Sequence, residues 1–152
     1  MIKSLQVNFM VERKTGKEKI EPTSSVVIVG LGQVGRMFCQ ELGKDPNLRL
    51  YGISRQTSIE AVMAQRPPLL ILAVPNPIDE AVAAIRGNIK ASLTVLLPQN
   101  GVDAVPKAIG GFADKPVTIV RASLFTPVTF VDDQLIYDRE KLRIALGPSF
   151  CK

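Results

Sequence analysis

Two rhythms of apolar residues alternate along most of this chain. Val26-Val27-Ile28-Val29 is an unbroken β-branched run, the pattern of a strand covered on both faces, and Arg36 to Leu42 is an amphipathic run at helical spacing. The sequence then predicts a strand over 48–53, after the turn Asp45-Pro46-Asn47, and a short helix over 58–65 opened by Ser58. A continuous apolar stretch over 69–74 is the next strand. Asn76 and Pro77 are expected to cap and open a helix over 78–85, with Asp79 and Glu80 favourably placed in its first turn. A strand over 93–97, a helix over 102–109 and a strand over 117–121 complete the series. Strands alternating with helices predict an α/β fold with a doubly wound, mostly parallel sheet.

The ends of the chain break the alternation. Beyond Ala122 the pattern predicts short strands over 128–131, 134–137 and 142–146, the first two joined at Asp132-Asp133, forming an antiparallel C-terminal extension of the sheet. At the other end, Leu5, Val7, Phe9 and Val11 alternate with Gln6, Asn8, Met10 and Glu12. That is a strand pattern; Lys14-Thr15-Gly16-Lys17 suits a turn and 18–21 a returning strand. Residues 1–24 therefore read as an N-terminal β arm or hairpin, or else a flexible arm, ahead of one domain over 25–152.

The chemistry begins where the first strand ends. Gly30-Leu31-Gly32-Gln33-Val34-Gly35 has the G-x-G-x-x-G spacing between a strand and a helix, the context that gives this motif its meaning. Gly30 permits a tight turn, Gly32 lets backbone approach a pyrophosphate, and Gly35 lets the helix pack close to the sheet. The helix start near Gln33 presents free N–H groups and a positive dipole end to the phosphates. This is a Rossmann dinucleotide-binding fingerprint.

Cofactor choice is read at the end of the second strand, where an acidic residue would bind the ribose 2′-hydroxyl. Ile53-Ser54-Arg55-Gln56-Thr57 has no acid there. Arg55 suits a phosphate dianion, and Ser54 and Thr57 can donate hydrogen bonds, which points to NADP rather than NAD. Two further segments follow strands whose carboxyl ends face the ligand crevice. Ala73-Val74-Pro75-Asn76-Pro77 suits either backbone contact with the cofactor or a rigid turn opening a helix. In Leu97-Pro98-Gln99-Asn100-Gly101-Val102, Asn100 is placed to orient a carboxamide or substrate carbonyl, although Asn-Gly is also a common turn.

The bulk properties narrow the partners. The net charge is +5, but the basic residues are dispersed and aromatics make up 5%, so no nucleic-acid surface is expected; a modest positive balance suits a polyanionic dinucleotide. Hydrophobic residues make up 46% and no apolar run approaches the ~18 residues of a membrane span. The first residues do not read as a signal peptide, and two cysteines, Cys39 and Cys151, make no disulfide framework, so the cytoplasm is the expected compartment. Histidine is absent, which removes the commonest general acid and metal ligand; no metal site is expected.

Over residues 26–148 the chain resembles the N-terminal half of the ketopantoate reductase family, within the 6-phosphogluconate-dehydrogenase-like proteins. The likeness rests on the glycine fingerprint, Ser54-Arg55, Gln99-Asn100-Gly101, and the closing Ile144-Ala145-Leu146-Gly147-Pro148, in that order and spacing. It implies NADPH-dependent reduction of a 2-oxoacid such as ketopantoate, with Arg55 on the 2′-phosphate and Asn100 beside nicotinamide and substrate. The chain also departs from the family. Pro75-Asn76 stands where the family usually has a lysine, and Leu72-Ala73-Val74-Pro75 resembles prephenate dehydrogenases instead. The family's catalytic lysine lies in a helical C-terminal domain, which would begin where this sequence stops. The expectation is a cofactor-binding domain of a reductase that needs a missing domain or partner, or a stand-alone dinucleotide-binding module. Apolar surface left by the absent helical half, and the arm, predict a homodimer.

Overall fold

A computed structural model describes residues 24–75, 77–99 and 103–151. The elements run β1 (Ser24–Val29), α1 (Gln33–Leu42), β2 (Leu48–Ile53), α2 (Ile59–Met63), β3 (Leu69–Leu72), α3 (Asp79–Arg86), β4 (Leu93–Leu97), α4 (Ala104–Gly111), β5 (Val117–Leu124), β6 (Thr129–Val131), β7 (Gln134–Ile136) and β8 (Ile144–Cys151). One six-stranded sheet has the order β2-β1-β3-β4-β5-β8, parallel except for β8, which pairs antiparallel with β5. This is the doubly wound, Rossmann-like α/β architecture that the alternation predicts. Strand order reverses between β1 and β3, and in open α/β sheets ligands lie outside the carboxyl ends at such a point.

Successive side chains of a strand point to opposite faces, so the apolar run of β1 serves two cores. Val27 and Val29 join one cluster with Leu70, Leu72, Val95 and Leu97, under Val62, Ile85 and Ala108 from α2, α3 and α4. Val26 and Ile28 join the other with Leu50 and Ile71, under Met37, Phe38 and Cys39 of α1. Burial of its thiol pushes the pKa of Cys39 up to about 11, so this residue is packing rather than chemistry.

The expected N-terminal arm lies outside the described residues, apart from Ser24, which opens β1. The expected antiparallel C-terminal extension is present in β8, but β6 and β7, expected to join it, form a separate two-stranded hairpin. Asp132 and Asp133 take φ of 49° and 62°, as a tight hairpin turn with positive φ at both central residues requires. The hairpin and its flanks pack over the α1 side of the sheet, where Val128, Leu135 and Tyr137 meet that core. β8 also runs past Gly147-Pro148 to Cys151 instead of ending at Leu146. A register shift makes this possible: Val120 pairs with Ser149 and Ala122 with Leu146, so Gly147 and Pro148 together oppose Arg121. On the sheet's outermost strand a proline costs no pairing.

In α3 the N-cap is Ile78, wholly buried and one residue from the expected start; the capping expected of Asn76 lies outside the described residues. α4 begins at Ala104 and continues through Gly110 and Gly111, where the sequence suggested an end at residue 109. A Cβ on Gly111 would come 2.3 Å from Val82 Cγ1, so close α3–α4 packing explains a glycine there.

Candidate dinucleotide site

The candidate residues of the first three segments stand at one edge of the sheet. Gly30 N–H donates to Ile53 O at 2.8 Å, and Ala73 N–H donates to Val29 O at 2.7 Å, which ties the ends of β1, β2 and β3 together. The three glycines of the turn are not equivalent. Gly30 has φ +96°, and a Cβ there would come 2.6 Å from Ala73 O and 2.9 Å from Val74 Cγ1. A Cβ on Gly35 would sit 1.7 Å from Gly30 O. Gly32, the N-cap of α1, has nothing within 4 Å of where its Cβ would be. The first and third glycines are therefore demanded by the protein's own packing. The middle one is not; around it is open space in front of the helix start. Leu31 and Val34 pack into the α1-side core, and Gln33 is exposed.

At the end of β2 a local network shapes the loop. Ser54 N–H donates to Thr57 Oγ1 at 3.2 Å, the two hydroxyls lie 3.1 Å apart, and Thr57 N–H returns to Ser54 O at 3.0 Å. Arg55 at the tip of this turn is exposed and makes no ion pair among the described residues. Ordered backbone presenting an unpaired guanidinium is the arrangement an anion site needs.

β3 ends at Leu72, two residues sooner than expected, so Val74 and Pro75 lie in the loop beside Gly30 rather than in the strand. Gln99 at the end of β4 holds this loop: its Nε2 donates to Leu72 O and, at 3.0 Å, to Val74 O. The side-chain oxygen of Gln99 is buried and has no hydrogen-bond partner among the described residues. Sequence reasoning singled out Asn100, which lies outside the described residues, and passed over its neighbour. Gln99 was visible only as the first residue of Gln-Asn-Gly; its tether to a strand 27 residues away carries no local signal.

A proton donor for carbonyl reduction is a different matter. The described residues of the turn segments 30–35, 54–57, 73–75 and 98–99 include no lysine or tyrosine, and the chain has no histidine. Lys107 of α4 pairs with Asp79 at the start of α3, 3.4 Å away, which occupies it structurally. No cluster of metal-ligating side chains occurs among the described residues, and no helix there is long and apolar enough to cross a membrane.

No protein-family model and no curated protein matches this chain. Solved structures do. The chain is similar to 2-dehydropantoate 2-reductase from Methylococcus capsulatus, with a TM-score of 0.58 and 19% identity over 81% of this chain and 48% of that one. It is also similar to 2-dehydropantoate 2-reductase from Porphyromonas gingivalis W83, with a TM-score of 0.53 and 18% identity over 84% of this chain and 55% of that one. The chain spans about half the length of these neighbours. At this identity the shared property is the fold: a ketopantoate-reductase-like, Rossmann-type α/β domain.

Proposed function

We propose that the chain is the NADP(H)-binding domain of an oxidoreductase acting on a 2-oxoacid, with ketopantoate as the leading substrate. The observation that carries this reading is the glycine turn at the strand-order switch. Gly30 and Gly35 leave no room for a side chain, while Gly32 keeps a cradle free at the N-terminus of α1. Open space in front of a helix N-terminus, whose first N–H groups lack intrahelical partners, fits a pyrophosphate. Gly30, Leu31, Gly32, Gln33, Val34 and Gly35 would hold the phosphates, and Ser54 and Arg55 the 2′-phosphate. Val74, Pro75 and Asn100 would flank the nicotinamide, which supplies a hydride when bound.

The chain's own residues bind and orient. Gln99 fixes the loop on which Val74 and Pro75 stand, so the floor beside Gly30 stays in place. The acid that protonates the developing alkoxide comes from another domain or subunit, because the described turn segments supply no lysine, tyrosine or histidine. The same observation favours a second reading, a stand-alone dinucleotide-binding module without catalytic activity.

With either reading goes a cytosolic homodimer, and with the first, as the alternative to a homodimer, packing against a helical partner domain. Among the described residues the exposed large apolar side chains, Phe125 (68% exposed), Leu146 (67%), Val131, Ile136 and Ile144, all fall within residues 125–146, which supports a covered surface. The test of function is a fluorescence titration of NADPH against NADH, followed by ketopantoate turnover. Tighter NADPH binding is expected; failure of both cofactors to bind at millimolar concentration would refute the proposal.

A further inference from the structure

Arg36 follows the last glycine of the turn and lies in the first turn of α1 with its side chain exposed. Helical side chains lean toward the N-terminus. Its guanidinium accordingly swings back over the turn, and Nε donates to Leu31 O at 2.9 Å. One face of the guanidinium is covered by Phe130 of β6, whose ring centroid lies 4.9 Å from Cζ. The hairpin that carries Phe130 is also fastened to the other end of α1. There the Tyr137 hydroxyl donates to Glu41, and Arg139 Nε lies 3.3 Å from the same carboxylate.

Holding a long exposed side chain in one place costs rotamer entropy. Arg36 meets no carboxylate among the described residues that would repay this ordering. Its carbonyl bond uses one of the five N–H donors of a guanidinium, and four remain. The carbonyl that Arg36 bonds belongs to the residue before Gly32, beside the open space at the helix start. We infer that Arg36 is a pyrophosphate-binding residue of the dinucleotide site, positioned by Phe130, so that the β6–β7 hairpin is part of that site. This rests on the glycine turn holding a dinucleotide. Its consequence differs from that of Arg55: the pyrophosphate is common to NADPH and NADH, so Arg36 strengthens both, whereas Arg55 separates them.

The experiment titrates NADPH and NADH against the unmodified chain, Arg36→Ala, Arg36→Lys and Phe130→Ala, with a thermal melt of each. Arg36→Ala should weaken both cofactors by a similar factor, about ten- to a hundredfold, as loss of a charge-assisted contact predicts. Arg36→Lys should recover part of this, since the charge stays but the planar fork is lost. Phe130→Ala should weaken both by a smaller factor. Inorganic pyrophosphate should displace NADH from the unmodified chain and compete poorly on Arg36→Ala. Unchanged affinity for both cofactors in folded Arg36→Ala would overturn the inference and leave Arg36 as a fastening for the hairpin. A loss confined to NADPH would overturn it too, by moving Arg36 to the 2′-phosphate. If the unmodified chain binds neither cofactor, the reading of the turn fails first and this inference with it, which the unmodified titration alone reveals.

Discussion

Replacing the three glycines of the turn one at a time should separate folding from binding. Gly32 has φ −78° and ψ −156°, extended backbone open to any residue, and its Cβ would meet nothing within 4 Å. A side chain there lowers unfolded-state entropy, which favours folding by about 0.4–1 kcal/mol. It also replaces glycine at an N-cap with a poorer capping residue, a loss of roughly 0.5–1 kcal/mol. The two nearly cancel, so Gly32→Val should melt within about 4 °C of the unmodified chain. Its isopropyl group would fill the cradle and hold the phosphates off the helix N–H groups. Loss of about two charge-assisted hydrogen bonds, ~1.5–3 kcal/mol each, lowers NADPH affinity at least about a hundredfold.

Gly35→Ala should behave in the opposite way. Its Cβ would lie 1.7 Å from Gly30 O, and the obstacle is backbone. Overpacking costs about 1–3 kcal/mol where side chains can yield, and here the cost should reach or exceed the top of that range. At about 2–4 °C per kcal/mol, the melting temperature should fall by roughly 6–12 °C or the protein should not fold. Circular-dichroism melts and fluorescence titrations of the variants give both readings. A folded Gly32→Val protein that binds NADPH normally would remove the site from this turn. Gly35→Ala with an unchanged melting temperature would refute the packing argument.

Arg55→Ala should weaken NADPH by about ten- to a hundredfold and leave NADH nearly unaffected, since only NADPH carries the 2′-phosphate; equal losses would make Arg55 structural. The isolated chain should reduce 2-oxoacids slowly or not at all with NADPH saturating, because a positioned acid contributes about 10²–10⁴-fold; ketopantoate turnover at ordinary enzyme rates would contradict this. Tyr137→Phe should lower stability by about 1 kcal/mol near neutral pH through loss of its bond to Glu41. Burial and that bond push the Tyr137 phenol from 10.0 up to about 12, so the contribution is whole below pH 10 and is lost as pH climbs through 12. Burial raises the Glu41 carboxyl, but hydrogen bonds from Tyr137 and Lys44 and the charges of Lys44 and Arg139 outweigh it and leave it lowered. The contribution therefore also fades in acid; a difference between Tyr137→Phe and the unmodified chain that is the same at pH 3, 7 and 11.5 would exclude this contact as its source.

Local pattern and turn chemistry carried much of this fold in the sequence. The strands Leu48–Ile53 and Leu93–Leu97 have the bounds that mostly apolar runs between turn residues predict, because the strand positions that enter a core must be apolar, while exposed Arg49 and half-buried Thr94 stand where the strands are not fully covered. The glycine turn was legible for a similar reason: a positive φ at Gly30 and a close approach at Gly35 admit almost no other residue. Tertiary structure alone decided the rest. Whether 129–136 extended the sheet or lay against α1 depended on Tyr137 reaching Glu41, 96 residues away, and on Phe130 meeting Arg36. β8 passes Gly147-Pro148 only because Arg121 opposes both of them, and α4 carries a glycine at 111 because Val82 of α3 fills the space beside it. Periodicity reports which face of an element is apolar, and turn residues report where the chain bends. Neither reports which distant side chain will arrive to cover that face, and in this protein those arrivals hold the hairpin against α1 and the β3 loop beside the glycine turn.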